Sequence, residues 1–254
     1  MRADKFFAEK YGSRTKAQEI LKEGLILRDG KPLQPKDDVQ DDENVVFLAN
    51  RERFASGGGK KLEKALACFR QDVSGEIAAD LGASTGGFTH CLLRRGIKKV
   101  YCVDVGESLL ADFIAADPRV VVMDKTNARY LTKDSFPESL SVVTGDLSFI
   151  SLRLILPAVR EILPCGGRAF LLFKPQFECG GKGLNGSGIL PAKHHVKLLS
   201  EFYDFCVQTD LSPQNIVSAP IVPKKNIEYV IFFKKDANPM EKNAFLRRAA
   251  EISD

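Results

Sequence analysis

The segment AADLGASTGGFT, residues 78–89, sets a run of small residues behind an aspartate, a composition that lets backbone N–H groups approach a ligand closely. Three chemistries fit it. Gly82 to Gly86, GASTG, satisfies the G-x-S-x-G pattern of a nucleophile elbow; the whole run resembles the glycine-rich turn of a dinucleotide fold; and it suits the loop that holds a methyl donor. An elbow serine normally comes after several strands and is followed by an acid and a histidine. Ser84 instead follows the first strand of its domain. Apart from the adjacent His90, the histidines downstream are His194 and His195, in the helical-looking stretch PAKHHVKLL, where they are expected to be exposed. A dinucleotide turn reads G-x-G-x-x-G, and Ser84 stands where the middle glycine would admit a pyrophosphate. The methyl donor fits best.

Acids at the strand ends point the same way. Asp80 ends the first strand, where it can meet an ammonium group. Asp104 ends the second, 18 residues after Gly86, where a carboxylate can accept both ribose hydroxyls. Asp124 ends the third, placed for an adenine amino group. Any one of these acids could equally be a helix cap or a loop residue. Together with Gly82, Ser84 and Gly86 they describe S-adenosylmethionine, which carries a sulfonium and an ammonium. The fourth strand ends in GDLSF with Asp146, and the fifth in FKPQFE with Lys174. Lys61, in a glycine-rich junction, and Glu228, at the start of the last strand, can reach the same carboxyl edge. Two lysines and two acids around one donor suggest proton handling. Lys174, directly after a central strand, is expected nearest the acceptor, and Lys61, on a mobile junction, to orient it.

The elements that position these residues are legible as patterns. Residues 1–50 read as a compact module with helices over about 4–11 and 14–23, an N-cap at Ser13, and strands around 24–28 and 44–48 joined through the turn RDGKP, residues 28–32. Arg2, Lys5, Lys10, Arg14, Lys16 and Lys22 crowd its helices, and the acidic run DDVQDDE lies beyond them. ANRERFASGGGKKL, residues 49–62, interrupts every periodic pattern and reads as a domain junction, with a linker over 51–60 and a second domain over 61–254. In that domain apolar strands alternate with helical segments: EIAADL, KKVYCVDV, RVVVMD, LSVVTGDL and RAFLLFKP, with helices after Gly86 and near 107–115 and 151–162. This is the signature of a parallel sheet covered on both faces. NIVSAPIV and IEYVIFF, linked by only a few residues around Pro223 to Lys225, form an antiparallel pair at the end. The fold expected is α/β, a Rossmann-like, mostly parallel sheet with an antiparallel final strand, behind a small α+β domain.

Bulk properties narrow the context. With 44% hydrophobic and 28% charged residues, the 254-residue chain is an ordinary globular sequence; its net charge of +4 is compatible with an RNA partner. No apolar run is long enough to span a membrane, and MRADKFFAEK is no signal peptide, so a cytoplasmic location without a membrane partner is expected. Cys68, Cys91, Cys102, Cys165, Cys179 and Cys206 are scattered without a C-x-x-C pair, which suggests buried reduced thiols and no metal.

The ordered motifs SGGGKKL, DLGASTGGFT, VDVG, DPRV, TNAR, GDLSFISL, KPQFE and NIEY resemble those of the TlyA family of bacterial rRNA methyltransferases, also called haemolysins. MRADKFF with GSRTKAQEIL resembles the S-four RNA-binding domain. The resemblance spans nearly the whole chain. It implies a Rossmann-type methyltransferase behind an RNA-binding domain, acting on the 2′-hydroxyl of cytidine in ribosomal RNA with S-adenosylmethionine. It further implies that the lysine, aspartate, lysine, glutamate tetrad of ribose methyltransferases falls on Lys61, Asp146, Lys174 and Glu228, and that Arg2 and Arg14 contact RNA. Gly57 stands where the family usually has arginine, and Phe54 supplies the aromatic of its interdomain linker; Arg51 and Arg53 are the nearby charges. The short N-terminus resembles the type that modifies large-subunit rRNA alone, whereas the longer type also modifies the small subunit. Two rival readings are a membrane-active haemolysin and an inactive RNA-binding assembly factor.

Overall fold

A computed structural model describes residues 1–9, 12–22, 24, 26–40, 44–47 and 54–251. The chain forms two compact units, Met1–Arg53 and Phe54–Asp254.

The first unit contains α1 (Ala3–Phe6), α2 (Arg14–Lys22), β1 (Ile26–Arg28), β2 (Lys31–Pro32) and β3 (Val45–Phe47). Ala3, Phe7, Ala17, Leu21, Ile26, Leu33 and Val39 form its buried core. The sheet order is β2-β1-β3. Asp29 and Gly30 both have positive φ, 53° and 76°, and so form the tight turn of a β1–β2 hairpin. The expected turn is therefore real, but it leads to a short strand, β2, absent from the sequence reading; β3 pairs on the other side of β1. Lys10 and the linker residues Arg51 and Arg53 lie outside the described residues.

The second unit begins with α3 (Gly58–Cys68), then β4 (Ile77–Leu81), α4 (Gly87–Arg94), β5 (Lys99–Val103), α5 (Asp112–Ala115), β6 (Val120–Met123) and β7 (Val142–Gly145). It continues with α6 (Leu156–Ile162), β8 (Arg168–Phe173), α7 (Pro175–Glu178), α8 (His195–Val207), β9 (Leu211–Ser218), β10 (Tyr229–Lys235) and α9 (Lys242–Glu251). One seven-stranded sheet runs β6-β5-β4-β7-β8-β10-β9. The neighbours from β6 to β8 are parallel, and β10 is antiparallel to both β8 and β9. Alternation along the strands feeds two cores. Ala79, Leu81, Leu171 and Phe173 face α6, α8 and α9, while Ala78, Phe170 and Leu172 face α3 and α4. Strands buried on both faces must be apolar throughout, which is why their sequence signal was continuous.

Three expectations need correction. Residues 58–62, expected as the end of a junction, open a helix that runs to Cys68. Leu62, Ala65 and Leu66 lie on one buried face of α3, and burying each leucine contributes about 1.5–3 kcal/mol. That outweighs the helix cost of Gly58 and Gly59, about 1 kcal/mol apiece. Only Cys91, Cys102 and Cys206 are buried; Cys68 and Cys165 are exposed and Cys179 is intermediate. Burial pushes the Cys102 thiol up to about 12, so it is an inert filler of the core. His194 is exposed as expected, but His195 is buried, its ring nitrogens 3.0 Å from the Tyr229 hydroxyl and 3.0 Å from the Leu190 carbonyl. Burial holds its pKa below the ordinary histidine value.

Candidate active site

Sequence order reverses at β4: the chain moves outward through β5 and β6, then returns to place β7 on the other side of β4. Such a switch point opens a crevice at the carboxyl ends of the strands. The loop Leu81–Gly86 leaves β4 there and enters α4. Gly82 has φ +73° and Gly86 φ +88°; a Cβ on Gly82 would lie 3.2 Å from the Asp146 carbonyl oxygen, and one on Gly86 3.0 Å from Leu110. Ser84 adopts φ +48° without being glycine, a conformation tolerated where the surroundings enforce it. Its N–H donates to Asp104 Oδ2 at 2.8 Å, which supplies that enforcement.

Between this loop and the start of α3 lies a cavity of about 310 Å³, lined by Ser56, Gly58, Lys61, Gly82 to Thr85, Gly87, Phe88, Asp146, Ser148 and Lys174. Of the expected cofactor residues, Gly82 and Ser84 line it and Gly86 caps the helix behind it. Asp104 and Asp124 stand at the ends of β5 and β6. Asp104 also accepts the Gly106 N–H at 2.9 Å, and Asp124 accepts the Ser108 N–H at 2.8 Å, so both carboxylates are oriented by backbone donors. Asp80 is differently placed. It is 1% exposed, away from the cavity lining, and its two oxygens accept the hydroxyls of Thr89 at 2.7 Å and Thr144 at 2.8 Å. On a strand with a two-residue period it shares the face of Ala78, towards α4. Asp80 thus ties β4 to α4 and β7, away from the cavity where an ammonium was expected to meet it. Burial lifts its pKa to about 6, against the pull of the two threonine hydroxyls.

The four expected proton-handling residues meet at the mouth of the cavity. Asp146, after β7, links both lysines: its Oδ1 lies 2.6 Å from Lys174 Nζ and its Oδ2 3.2 Å from Lys61 Nζ. Lys61 also donates to Glu228 Oε2 at 2.8 Å. Lys61 rides in the first turn of α3, a fixed position rather than the mobile junction expected. Burial pulls its ammonium pKa down, but the attraction and hydrogen bonds of Asp146 and Glu228 outweigh this and raise it, so Lys61 stays cationic. Lys174 follows β8, is only 6% exposed, and donates to Ser148 Oγ at 2.8 Å. Glu228 reaches the edge because β10 runs backwards: the residue before an antiparallel strand lies where parallel strands end.

Sequence reasoning missed Ser148 and Gln176, whose amide donates to Glu228 Oε1 at 3.1 Å. Both lie within quoted motifs, GDLSF and KPQFE, one turn of chain beyond a singled-out residue. Phe149, 91% exposed with φ +62°, and its neighbour Phe177, with ring centroids 5.2 Å apart, also flank the site.

In the first unit Arg2 and Arg14 converge on one buried carboxylate. Arg2 donates to both oxygens of Asp4, at 3.2 and 3.0 Å, and Arg14 Nε and Gln18 Nε2 donate to Oδ2 at 3.0 and 2.6 Å. The Gln18 amide, with the two guanidiniums, holds the Asp4 carboxyl well below the usual range. Both arginine side chains stay partly exposed, at 43% and 47%. Asp4 therefore fixes where two cations present themselves.

Comparison with known proteins assigns this arrangement a chemistry. The FtsJ-like methyltransferase family model matches residues 54–235. The 16S/23S rRNA (cytidine-2′-O)-methyltransferase TlyA of Mycobacterium tuberculosis is 42% identical over 178 residues, covering 69% of this chain and 66% of that protein. Hemolysin A of Brachyspira hyodysenteriae is 36% identical over 87% of this chain and 93% of its own. A solved structure from Streptococcus thermophilus, described as a candidate hemolysin, is 35% identical and superposes with a TM-score of 0.77, covering 99% of this chain and 95% of its own. Among the described residues no helix is long and apolar enough to cross a membrane.

Proposed function

Because this chain belongs to the FtsJ-like methyltransferase family and so uses S-adenosylmethionine, we propose that its acceptor is the 2′-hydroxyl of a cytidine in ribosomal RNA. The observation that carries the reading is the convergence of Lys61, Asp146, Lys174 and Glu228 on one cavity mouth. A ribose hydroxyl is a poor nucleophile. It must be aligned with the methyl group and relieved of its proton, and the quartet suits both tasks. S-adenosylmethionine, when bound, supplies the electrophilic methyl. The cavity fits it: the glycine loop brings backbone N–H groups to the lining, and Asp104 and Asp124 present oriented carboxylates farther along the same edge. The proposed donor contacts are Gly82, Ser84, Gly86, Asp104 and Asp124, with Asp80 as the brace tying β4 to α4 and β7.

Within the quartet, Lys61 is held cationic between two acids, which suits it to orient the ribose oxygens. Lys174, buried beside Asp146 and Ser148, is the residue positioned to take up the hydroxyl proton. Asp146 holds the two lysine side chains at a fixed separation, and Glu228 with Gln176 anchors Lys61 from the far side. The RNA-binding role is assigned to the first unit, Met1–Arg53, with Arg2 and Arg14 on phosphates, and the methyltransferase role to the second, Phe54–Asp254, whose start the expected 51–60 linker overlaps. The relatives' names favour ribosomal RNA, a cytoplasmic substrate.

The test is direct. The protein and labelled S-adenosylmethionine are incubated separately with unmodified large and small ribosomal subunits, and the RNA is digested to nucleosides. Label in 2′-O-methylcytidine is the expected result. Label on a base, or RNA binding with no transfer, would overturn the reading and favour another acceptor or an inactive assembly factor.

A further inference from the structure

The quartet stands between two depressions. One is the glycine-loop cavity. The other, of about 590 Å³, shares Ser56, Gly58 and Lys61 with it and extends along the link between β9 and β10. Its charge is one-sided. Lys60, Lys224 and Lys225 line it and are exposed, and among the described residues no carboxylate forms an ion pair with any of them. The one acid in its lining, Glu228, is already engaged by Lys61 and Gln176. Lys60 and Lys61 also sit in the first turn of α3, where the helix dipole disfavours cations, so local helix stability does not account for them.

Gln176 adds a second observation. Its Nε2 donates to Glu228, but its Oε1 is buried without a hydrogen-bond partner, the single such side-chain atom among the described residues. A buried acceptor left unpaired is costly, and this one belongs to a residue lining the basic groove. A donor arriving with a ligand would satisfy it.

We infer that this groove carries the single-stranded RNA flanking the target ribose, with Lys60, Lys224 and Lys225 on its phosphates and Gln176 Oε1 accepting from a hydroxyl or amine of the strand. The inference rests on the RNA reading above. The donor enters from the glycine-loop side and the strand from the opposite side, so the two substrates meet across the quartet without sharing a route. A basic groove beside a reaction centre is how proteins track a single strand without reading its sequence.

The test compares the full-length protein with Lys224→Ala/Lys225→Ala, and with Lys98→Ala/Lys234→Ala as a control. Lys98 and Lys234 are exposed at the amino edge of the parallel strands, opposite the site. Binding to the unmodified subunit that the wild type methylates is measured across a salt series. Two single-strand phosphate contacts account for about 1.4 in the slope of log affinity against log salt. The groove variant is expected to lose that much slope, with S-adenosylmethionine affinity and the single-turnover rate at saturating RNA both unchanged. The control should keep the wild-type slope. A groove variant that binds like the control would overturn the groove assignment alone, since wild-type methylation would still uphold the RNA reading. A wild-type protein that methylates neither subunit would sink both.

Discussion

Replacing Asp80 by asparagine tests the least expected placement in the site. The carboxyl is fully enclosed, and burial raises its pKa from the 3.8 of an ordinary aspartate to about 6. A shift of about two units corresponds to about 3 kcal/mol. The sign follows from which state ionises first. Below pH 4 the group is protonated in both folded and unfolded chains and contributes no pH dependence. Between about pH 4 and 6 the unfolded chain ionises while the folded one does not, so stability falls as pH rises; above about pH 6 the loss is complete. Asparagine never ionises, yet its carbonyl can accept one threonine hydroxyl and its amide can donate to the other. The stability of Asp80→Asn minus that of the wild type should therefore rise by about 2 kcal/mol between pH 4.5 and 7.5, the first part of the loss falling below pH 4.5, on top of any constant offset. Urea unfolding at matched ionic strength, followed by circular dichroism, measures it. A difference flat across that range would refute the buried-brace account. A tenfold loss of S-adenosylmethionine affinity at unchanged stability would instead return Asp80 to the ammonium-binding role that its sequence position suggests.

Four further outcomes are expected. Asp104→Ala removes a carboxylate able to take two charge-assisted hydrogen bonds, each worth about 1.5–3 kcal/mol, and should weaken S-adenosylmethionine binding at least tenfold by calorimetry. Lys174→Ala should abolish single-turnover methylation while leaving cofactor and RNA binding intact, and Lys174→Arg should not restore it because a guanidinium stays protonated; near-normal turnover would remove Lys174 from the proton-accepting role. Charge reversal at either Arg2 or Arg14 should weaken RNA binding without changing cofactor affinity, and Asp4→Ala should lower stability at neutral pH and narrow that loss below about pH 4, because a depressed carboxyl stabilises only while ionised.

Much of this architecture was legible because parallel strands buried on both faces cannot hide. KVYCV, VVVM, VVTG and RAFLLF are mostly apolar, and each hands a polar residue to the carboxyl edge. That rule located Asp104, Asp124, Asp146 and Lys174. It failed for Asp80, which lies one residue inside its strand, so alternation turns it beneath α4. The glycines of residues 57–59 were misread because propensity alone marks them as breakers, while packing demands one of them. A Cβ on Gly59 would sit 2.2 Å from the Phe54 ring, whereas one on Gly57 would meet open space. His195 looked like half of an exposed pair, but consecutive helix residues point about 100° apart, so His195 can be buried beside an exposed His194, and Tyr229 is its partner from a strand 34 residues away. Contacts of that range, like Gln176 with Glu228, leave no periodic trace in a sequence.

The backward run of β10 also has a bearing on synthesis. Lys61 waits for Glu228, 167 residues later in the chain. At a translation rate of about 5–20 residues per second, those 167 residues take roughly 8–33 s to make. During that interval the glycine loop, Asp104, Asp146 and Lys174 emerge in turn, but Lys61 lacks one of its two counter-charges. A product ended anywhere before β10 would keep the donor-side loop and lose the anchor. Competence is therefore conferred near the end of synthesis, by the strand that also closes the sheet between β8 and β9, so an unfinished chain holds the parts of the catalyst without their alignment.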